Sequence, residues 1–154
     1  MTSADKTARS QTESLSFEFD LHHSPEKVWR ALTDPVLLAE WLLPVVDLNL
    51  EPGAAFTFKA QPQPGWDGIV NCRFLEIKAQ SKLSWRWVVG DIDTVVTFTL
   101  TPTDGGAGGA RGSGTRLFIV QSGFRPDQKQ AFGGARYGWK MMGGKLVDLL
   151  ARIP

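Results

Sequence analysis

The chain has 154 residues, of which 42% are apolar and 21% are charged, and its formal net charge is +1. This length suits one domain, and this composition excludes a disordered chain and a coiled coil. A near-neutral charge gives no electrostatic reason to expect nucleic acid or an anionic membrane as the main partner.

The N-terminal segment and the first strand differ sharply in polarity. Residues 1–14 are polar and lack the apolar region of a secretory signal, so we predict a frayed tail and a cytoplasmic protein. Residues 15–21 alternate between apolar and polar side chains, which predicts a half-buried strand. No stretch of the sequence approaches the roughly 18 apolar residues that a membrane-spanning helix needs, so we expect no membrane span.

Two short helices are predicted after this strand. Ser24 is a favourable N-cap and Pro25 suits the first helical position, so a helix should begin there. Asp34 followed by Pro35 interrupts that helix, and a second short helix is predicted over residues 35–43.

Strand patterns and short turns then dominate the sequence. Six segments are predicted to be strands: 46–50, 54–60, 68–77, 82–89, 94–102 and 114–122. The short turns between them favour an antiparallel meander of about seven strands in all. Residues 103–114 hold six glycines, and we interpret them as a flexible hairpin insertion. They do not form a phosphate loop, because no Gly-Lys-Ser/Thr follows and the next element is a strand.

One long helix is predicted over residues 127–152. Its apolar residues recur at steps of three and four and form one stripe that should lie on the sheet: Phe132, Ala135, Trp139, Met142, Leu146, Leu149 and Ile153. The helix also contains two glycine pairs, although each helical glycine costs about 1 kcal/mol relative to alanine. We therefore expect Gly143 to allow a close backbone approach or to leave room for a ligand. The alternative is a kinked or late-starting helix, with Gly133 and Gly134 in a loop.

Five local strings follow one another along the chain in an informative order. They lie at residues 23–35 (HSPEKVWRALTDP), 38–41 (LAEW), 83–87 (LSWRW), 114–124 (GTRL, then QSGF) and 138–149 (GW, then two leucines). Together they resemble the START-like (SRPBCC, helix-grip) superfamily. Within it, residues 15–152 are similar to the group homologous to the C-terminal domain of the activator of the 90-kDa heat-shock protein's ATPase.

This resemblance implies an α+β helix-grip fold. Such a fold has a curved antiparallel sheet of about six to seven strands, two short helices after the first strand, and a long C-terminal helix packed on the sheet. The implied domain spans residues 15–154. A curved sheet wrapped around a long helix commonly leaves a cavity between the two.

Three classes of function stay open, because the superfamily includes lipid carriers, hormone receptors, polyketide cyclases, self-resistance proteins and chaperone activators. The favoured hypothesis is a domain that holds an apolar or aromatic small molecule in the cavity between the sheet and the last helix. One alternative is a stress-response regulator that acts on a chaperone partner through its surface. The other is a cyclase- or hydrolase-type enzyme that uses the same cavity. We expect a monomer or a homodimer.

Alternation along the strands identifies the side chains that should face this cavity. The predicted ligand-binding residues are large inward members of the strands, the second helix and the last helix: Trp41, Phe56, Phe58, Cys72, Phe74, Trp85, Trp87, Phe98, Ile119, Trp139 and Met142. Trp66, in a loop beside Pro64 and Gly65, is expected to be an exposed aromatic residue. The alternative is that Trp66 gates the mouth of the cavity.

The sequence contains no recognisable catalytic or metal-binding signature. Ser, His and Asp occur, but not in a setting such as Gly-x-Ser-x-Gly, so no catalytic residue is predicted. His22 and His23 would point to opposite faces of a strand, so we expect neither a metal site nor a cofactor. Cys72 is the only cysteine and is expected to be an inert buried thiol. Arg86 and Arg136 could donate to a polar ligand group, although a solvent-facing arginine is the more frequent situation.

Overall fold

The computed structural model describes residues 14–104 and 112–154, so residues 1–13 of the predicted tail and residues 105–111 of the glycine-rich insertion lie outside the described residues. Ser14, the last residue of the predicted tail, is the first residue of a strand. The described chain contains seven strands: β1 (Ser14–Leu21), β2 (Val45–Val46), β3 (Ala55–Lys59), β4 (Ile69–Lys78), β5 (Lys82–Val89), β6 (Ile92–Thr103) and β7 (Gly114–Ser122). The same residues form three helices: α1 (Pro25–Thr33), α2 (Pro35–Trp41) and α3 (Lys129–Arg152).

The seven strands form one curved antiparallel sheet in the order β1-β7-β6-β5-β4-β3-β2. Strands β2 to β7 form a meander, and β1 extends the sheet by pairing with β7. Helix α3 packs against α1, α2 and β1, and its buried side chains belong to the core under the sheet. This α+β arrangement confirms the predicted helix-grip fold. Across residues 14–104 and 112–154, no helix is long and apolar enough to cross a membrane.

The two short helices begin where the sequence predicts. The Ser24 hydroxyl accepts a hydrogen bond from the Lys27 backbone N–H at 3.2 Å, and Pro25 occupies the start of α1. The Asp34 carboxylate accepts the Val36 backbone N–H at 2.9 Å and caps α2 in the same way. These side chains satisfy backbone donors that the first turn of a helix leaves unpaired. Local chemistry therefore fixes where each helix starts.

One predicted strand is much shorter in the structure. The pattern over 46–50 predicts a strand, but β2 contains only Val45 and Val46. Asp47 adopts a left-handed backbone conformation with a φ of 62°, which ends the extended segment directly after the pairing of Val46 with Thr57. Helix α2 likewise ends at Trp41 rather than at residue 43.

Alternation along the strands correctly separates the two faces of the sheet. The inward residues of β4, β5, β6 and β7 are buried, and they include Val70, Cys72, Phe74, Leu83, Trp85, Val96, Phe98, Leu100, Leu117, Ile119 and Gln121. Trp87, on the same face, is half-buried. On the outer face, Phe118 is 37% exposed. The core therefore lies between the inner face of the sheet and the three helices.

Helix α3 runs without interruption through both glycine pairs, so the alternative of a late-starting helix is wrong. A Cβ at Gly143 would lie 2.3 Å from Cζ of Phe19, a distance that real Cβ atoms essentially never show. The expected close approach at Gly143 therefore exists. It is made by an aromatic ring that reaches the helix from β1, rather than by backbone or by a ligand.

The Gly143→Ala variant should be less stable than the wild type. Its Cβ would overlap the Phe19 ring, and such overpacking costs about 1–3 kcal/mol, so over most of this range the cost exceeds the gain of about 1 kcal/mol in helix propensity. Urea denaturation would measure the difference. Gly144→Ala is the matched control, because a Cβ there meets nothing within 4 Å, and it should stabilise the protein. Equal stability of the two variants would contradict the close contact with Phe19.

Candidate functional site

A pocket of about 390 Å³ lies between the N-terminal half of α3 and one end of the sheet. We call it the α3 pocket. On the helix side it is lined by four small residues, Ala131, Gly134, Ala135 and Gly138, which recur at helical spacing and share one face. A Cβ at Gly134 or at Gly138 would meet nothing within 4 Å. The space exists because these side chains are too small to reach the sheet.

Tryptophan side chains form the walls of the α3 pocket. Trp139 of α3 and Trp87 of β5 both line it, and their ring centroids are 5.9 Å apart with an interplanar angle of 52°. Met142, one turn after Trp139 on the same helix, also contributes to the lining. Val89 and Ile92, at the β5–β6 turn, complete the apolar wall on the sheet side.

Trp66 lines the α3 pocket instead of extending into solvent, so the expectation of an exposed loop aromatic is wrong. Its indole N–H donates to the Ile69 carbonyl at 3.0 Å. The backbones of Trp66 and Gln63 also exchange two hydrogen bonds of 2.9 Å, and Gly65 between them has a φ of 83°. This tight turn folds the loop back, and it places the ring beside Ala60 at the edge of the pocket.

A chain of buried hydrogen bonds runs behind the Trp139 wall. The Trp139 indole N–H donates to Gln121 Oε1 at 2.7 Å, and Gln121 Nε2 donates to Thr94 Oγ1 at 2.9 Å. The Thr94 hydroxyl then donates to the Trp87 carbonyl at 2.9 Å. Gln121, Thr94 and Trp139 are each no more than 3% exposed. The chain joins α3 to β7, β6 and β5, and it holds the Trp139 ring in one orientation.

The α3 pocket is uncharged. Among the described residues that line it, none is ionisable and Gln121 alone carries a polar amide. The ion pairs of the described chain lie outside the pocket: Arg86 pairs with Asp93 on the outer face of the sheet, and Arg125 pairs with Asp91 at 3.2 Å on the surface. The pocket therefore offers mainly dispersion and aromatic contacts, and its side-chain hydrogen-bonding groups are the Gln121 amide and the tryptophan indole N–H groups.

The histidines and the cysteine lie away from the α3 pocket. His23 Nδ1 accepts a hydrogen bond from Lys27 Nζ at 3.1 Å, and burial together with the charge of Lys27 lowers the pKa of His23. Burial raises the pKa of the Cys72 thiol, which keeps it protonated and unreactive. Within residues 14–104 and 112–154, no cluster of three or more His, Cys, Asp and Glu side chains could hold a metal ion.

The structure brings three of the predicted ligand-binding residues to the α3 pocket: Trp87, Trp139 and Met142. The other eight do not line it, because they are packed within the core: Trp41, Phe56, Phe58, Cys72, Phe74, Trp85, Phe98 and Ile119. Trp85 is the centre of this packing, with four phenylalanine rings at centroid distances between 5.0 Å and 6.0 Å. Its Nε1 is buried without a hydrogen-bond partner among the described residues. Tight aromatic packing thus fills that half of the interior.

Sequence reasoning missed most of the pocket. The residues that it did not single out for binding include the small residues of α3, Gln121, and apolar residues at strand ends and in loops: Leu43, Ala60, Val70, Val89, Ile92 and Phe124. One signal was available in the sequence. Ala131, Gly134, Ala135 and Gly138 recur at helical spacing and share Ala135 with the apolar stripe, and such a run of small residues marks where a helix cannot fill the space beneath it.

The sequence and the fold match known proteins over nearly the whole chain. Residues 22–151 match the family model described as Activator of Hsp90 ATPase homolog 1-like protein. A crystal structure of a protein from Mesorhizobium loti is 39% identical, with a TM-score of 0.80, over 92% of this chain and 98% of that one. No curated protein gives a significant match.

Two more distant structures agree in fold. A protein from Nitrosomonas europaea is 24% identical with a TM-score of 0.73, over 95% of this chain and 99% of that one. CalU16 from Micromonospora echinospora is 20% identical with a TM-score of 0.69, over 97% of this chain and 83% of that one. Since the family model covers most of the sequence and a relative of 39% identity shares the architecture, this chain belongs to the family of Activator of Hsp90 ATPase homolog 1-like proteins.

Proposed function

We propose that this protein binds an uncharged apolar or aromatic small molecule in the α3 pocket. The observation that carries the proposal is a pocket of about 390 Å³ whose lining is apolar except for one amide. This volume falls within the range of small-molecule sites, about 300–1,000 Å³, and such sites are mostly apolar with a few placed polar groups. A charged ligand would lose its hydration there without gaining an ionic partner.

The tryptophan walls favour a planar ligand. Trp66, Trp87 and Trp139 present large aromatic surfaces to the same space. Hydrogen bonds from the indoles of Trp66 and Trp139 fix their orientation before a ligand arrives. Preorganised aromatic side chains lower the entropy cost of binding and offer offset-stacked or edge-to-face contacts.

The enzyme alternative has less support. A cyclase or hydrolase that uses this cavity needs a side chain able to transfer a proton within reach of the ligand. The described lining of the α3 pocket contains no Asp, Glu, His, Lys, Cys or Tyr. Binding therefore agrees with the chemistry of the lining, whereas acid–base catalysis by side chains does not.

Filling the α3 pocket should weaken binding strongly without unfolding the protein. In Gly138→Leu the new side chain would enter the open space beside Gly138, and the change also raises helix propensity. With 2-ethylnaphthalene as a neutral aromatic probe, we expect the Kd of Gly138→Leu to rise by at least about tenfold, measured by quenching of tryptophan fluorescence. Thermal unfolding should show that Gly138→Leu is at least as stable as the wild type.

Gly144→Leu is the matched control for this experiment. Gly144 lies in the same helix, a Cβ there also meets nothing within 4 Å, and the residue does not line the pocket. Its affinity for the probe should equal that of the wild type. The proposal is wrong if the wild type does not bind the probe, or if the two leucine variants weaken binding equally. Native mass spectrometry of the purified wild type would identify any ligand carried along.

The regulator alternative rests on a different surface. Tyr137 and Met141, four residues apart on the outward side of α3, are 68% and 48% exposed. Together with the family description, this apolar surface supports an interaction with a chaperone as the second candidate function. Stimulation of a chaperone ATPase by the wild type, lost in Tyr137→Ser and retained in Gly138→Leu, would favour the regulator over the binding domain.

A further inference from the structure

We propose that Gln121 is the specificity-determining residue of the α3 pocket, and that its unpaired amide N–H donates a hydrogen bond to a carbonyl oxygen of the ligand. This inference rests on the proposed function and narrows the ligand class to uncharged aromatic molecules that carry a carbonyl group. The basis of the inference is that one N–H of the buried Gln121 amide has no hydrogen-bond partner among the described residues.

The orientation of the Gln121 amide is determined by its two partners. The indole N–H of Trp139 can only donate, so the atom 2.7 Å from it must be the amide oxygen. Thr94 Oγ1 donates its own proton to the Trp87 carbonyl at 2.9 Å, so it must accept from the amide nitrogen. A flipped amide would place donor against donor at Trp139. The oxygen and the nitrogen of Gln121 are therefore not interchangeable.

One donor of this amide is left over. An amide nitrogen has two N–H groups, and only one of them has a partner among the described residues, at 2.9 Å in Thr94. Gln121 is 3% exposed and lines the α3 pocket, so a partner for the second N–H must come from a molecule inside the pocket. Burying an N–H without an acceptor costs free energy, and this cost is larger than that of a carbonyl oxygen that accepts fewer hydrogen bonds than it could. A ligand that supplies an acceptor relieves this cost, which is the basis of selection.

Competing donors in the pocket are few. The indole N–H groups of Trp66 and Trp139 are already committed to Ile69 and Gln121. The indole N–H of Trp87 has no partner in the described chain, but Trp87 is only half-buried and its nitrogen is not sealed from solvent. Gln121 is thus the buried donor that faces a ligand, and Trp87 is the residue to exclude by experiment.

The test compares two probes of nearly equal shape, 2-acetylnaphthalene and 2-isopropenylnaphthalene, in which a carbonyl oxygen is replaced by a methylene group. In Gln121→Met we expect the Kd of the ketone to rise by about three- to tenfold, which is the usual value of one neutral hydrogen bond. The Kd of the hydrocarbon should rise by a clearly smaller factor, because the loss of the hydrogen bond to the Trp139 indole affects both probes alike, whereas the loss of the amide N–H affects the ketone alone. Trp87→Phe is the control, and it should change the affinities for the two probes by the same factor.

Infrared spectroscopy gives a second measurement that does not depend on the stability of a variant. The carbonyl stretching band of the ketone bound to the wild type should lie at lower wavenumber than the band of the same ketone in a hydrocarbon solvent. If Gln121→Met does not fold, Thr94→Val takes its place in this measurement. Thr94→Val removes the acceptor that orients the amide, so it should reduce the shift of the carbonyl band.

The possible outcomes are distinct. If neither probe binds the wild type, both the proposed function and the role of Gln121 are overturned. If both probes bind, but Gln121→Met weakens them equally or the carbonyl band is not shifted, the role of Gln121 fails and the proposed function stands. Loss of ketone affinity in Trp87→Phe alone would assign the donor to Trp87 and would also overturn the proposal.

Discussion

The Phe98→Ala variant should lose about 3–5 kcal/mol of unfolding free energy, which is a large part of the stability of a domain of this size. Phe98 is fully buried, and its ring lies between three tryptophans: Trp85 at a centroid distance of 5.0 Å, Trp139 at 6.0 Å and Trp41 at 6.5 Å. Truncation would remove these contacts and leave a cavity that rigid neighbouring rings cannot fill. Urea denaturation followed by tryptophan fluorescence would measure the loss.

Phe118→Ala is the control for this prediction. Phe118 lies on the neighbouring strand and points to the outer face of the sheet, where it is 37% exposed. Its truncation should cost far less unfolding free energy than that of Phe98.

Because Phe98 also supports Trp139, Phe98→Ala should weaken probe binding in the α3 pocket as well. Similar losses of stability in the two variants would show that the aromatic cluster does not dominate the core.

The Gly68→Ala variant should lose about 2–5 kcal/mol, through two separate effects at one residue. Gly68 has a φ of 83°, and a left-handed conformation costs an alanine about 1–2 kcal/mol. Its Cβ would also lie 2.3 Å from the carbonyl oxygen of Ala60 and 3.2 Å from the backbone nitrogen of Pro62. Backbone atoms cannot rotate away as a side chain can, so the overlap must be relieved by moving the loop.

Gly65→Ala separates the two effects. Gly65 has the same φ of 83°, but a Cβ there meets nothing within 4 Å, so only the conformational cost applies. Thermal unfolding should therefore rank the wild type above Gly65→Ala, and Gly65→Ala well above Gly68→Ala. The loop that Gly68 closes carries Ala60 and Trp66 to the α3 pocket, so probe affinity should fall in Gly68→Ala. If the two variants are equally stable, the contact with the Ala60 carbonyl does not add to the stability loss of Gly68→Ala, and this prediction is wrong.

The elements of the fold were largely predictable, because their signals are local. Ser24 and Asp34 cap the two short helices through side chains next to the backbone groups that they satisfy. The period-two alternation in the strands decides which side chains face inward, and Trp85 and Phe98 are buried as it predicts. The predicted strand over 46–50 was too long because one residue, Asp47, has a left-handed backbone that no apolar pattern encodes.

The candidate site was only partly predictable, because the same inward pattern describes both a packed core and the wall of a hollow. Trp85 and Trp87 are two residues apart on one strand, yet Trp85 is enclosed by phenylalanine rings and Trp87 faces the α3 pocket. The period-two alternation places both rings on the inner face of the sheet, but it does not show whether the space next to each ring is filled or empty. That volume depends on which part of α3 lies above them.

The sequence by itself determined the order of the elements, the N-cap of α1 and the inward face of the strands. Only the tertiary structure decided where the interior is filled and where it is open, and which polar groups meet. Gln121 joins Thr94 and Trp139, which are 27 and 18 residues away along the chain. Local patterns report period and polarity, whereas a cavity and its hydrogen bonds depend on how separate elements approach one another in space.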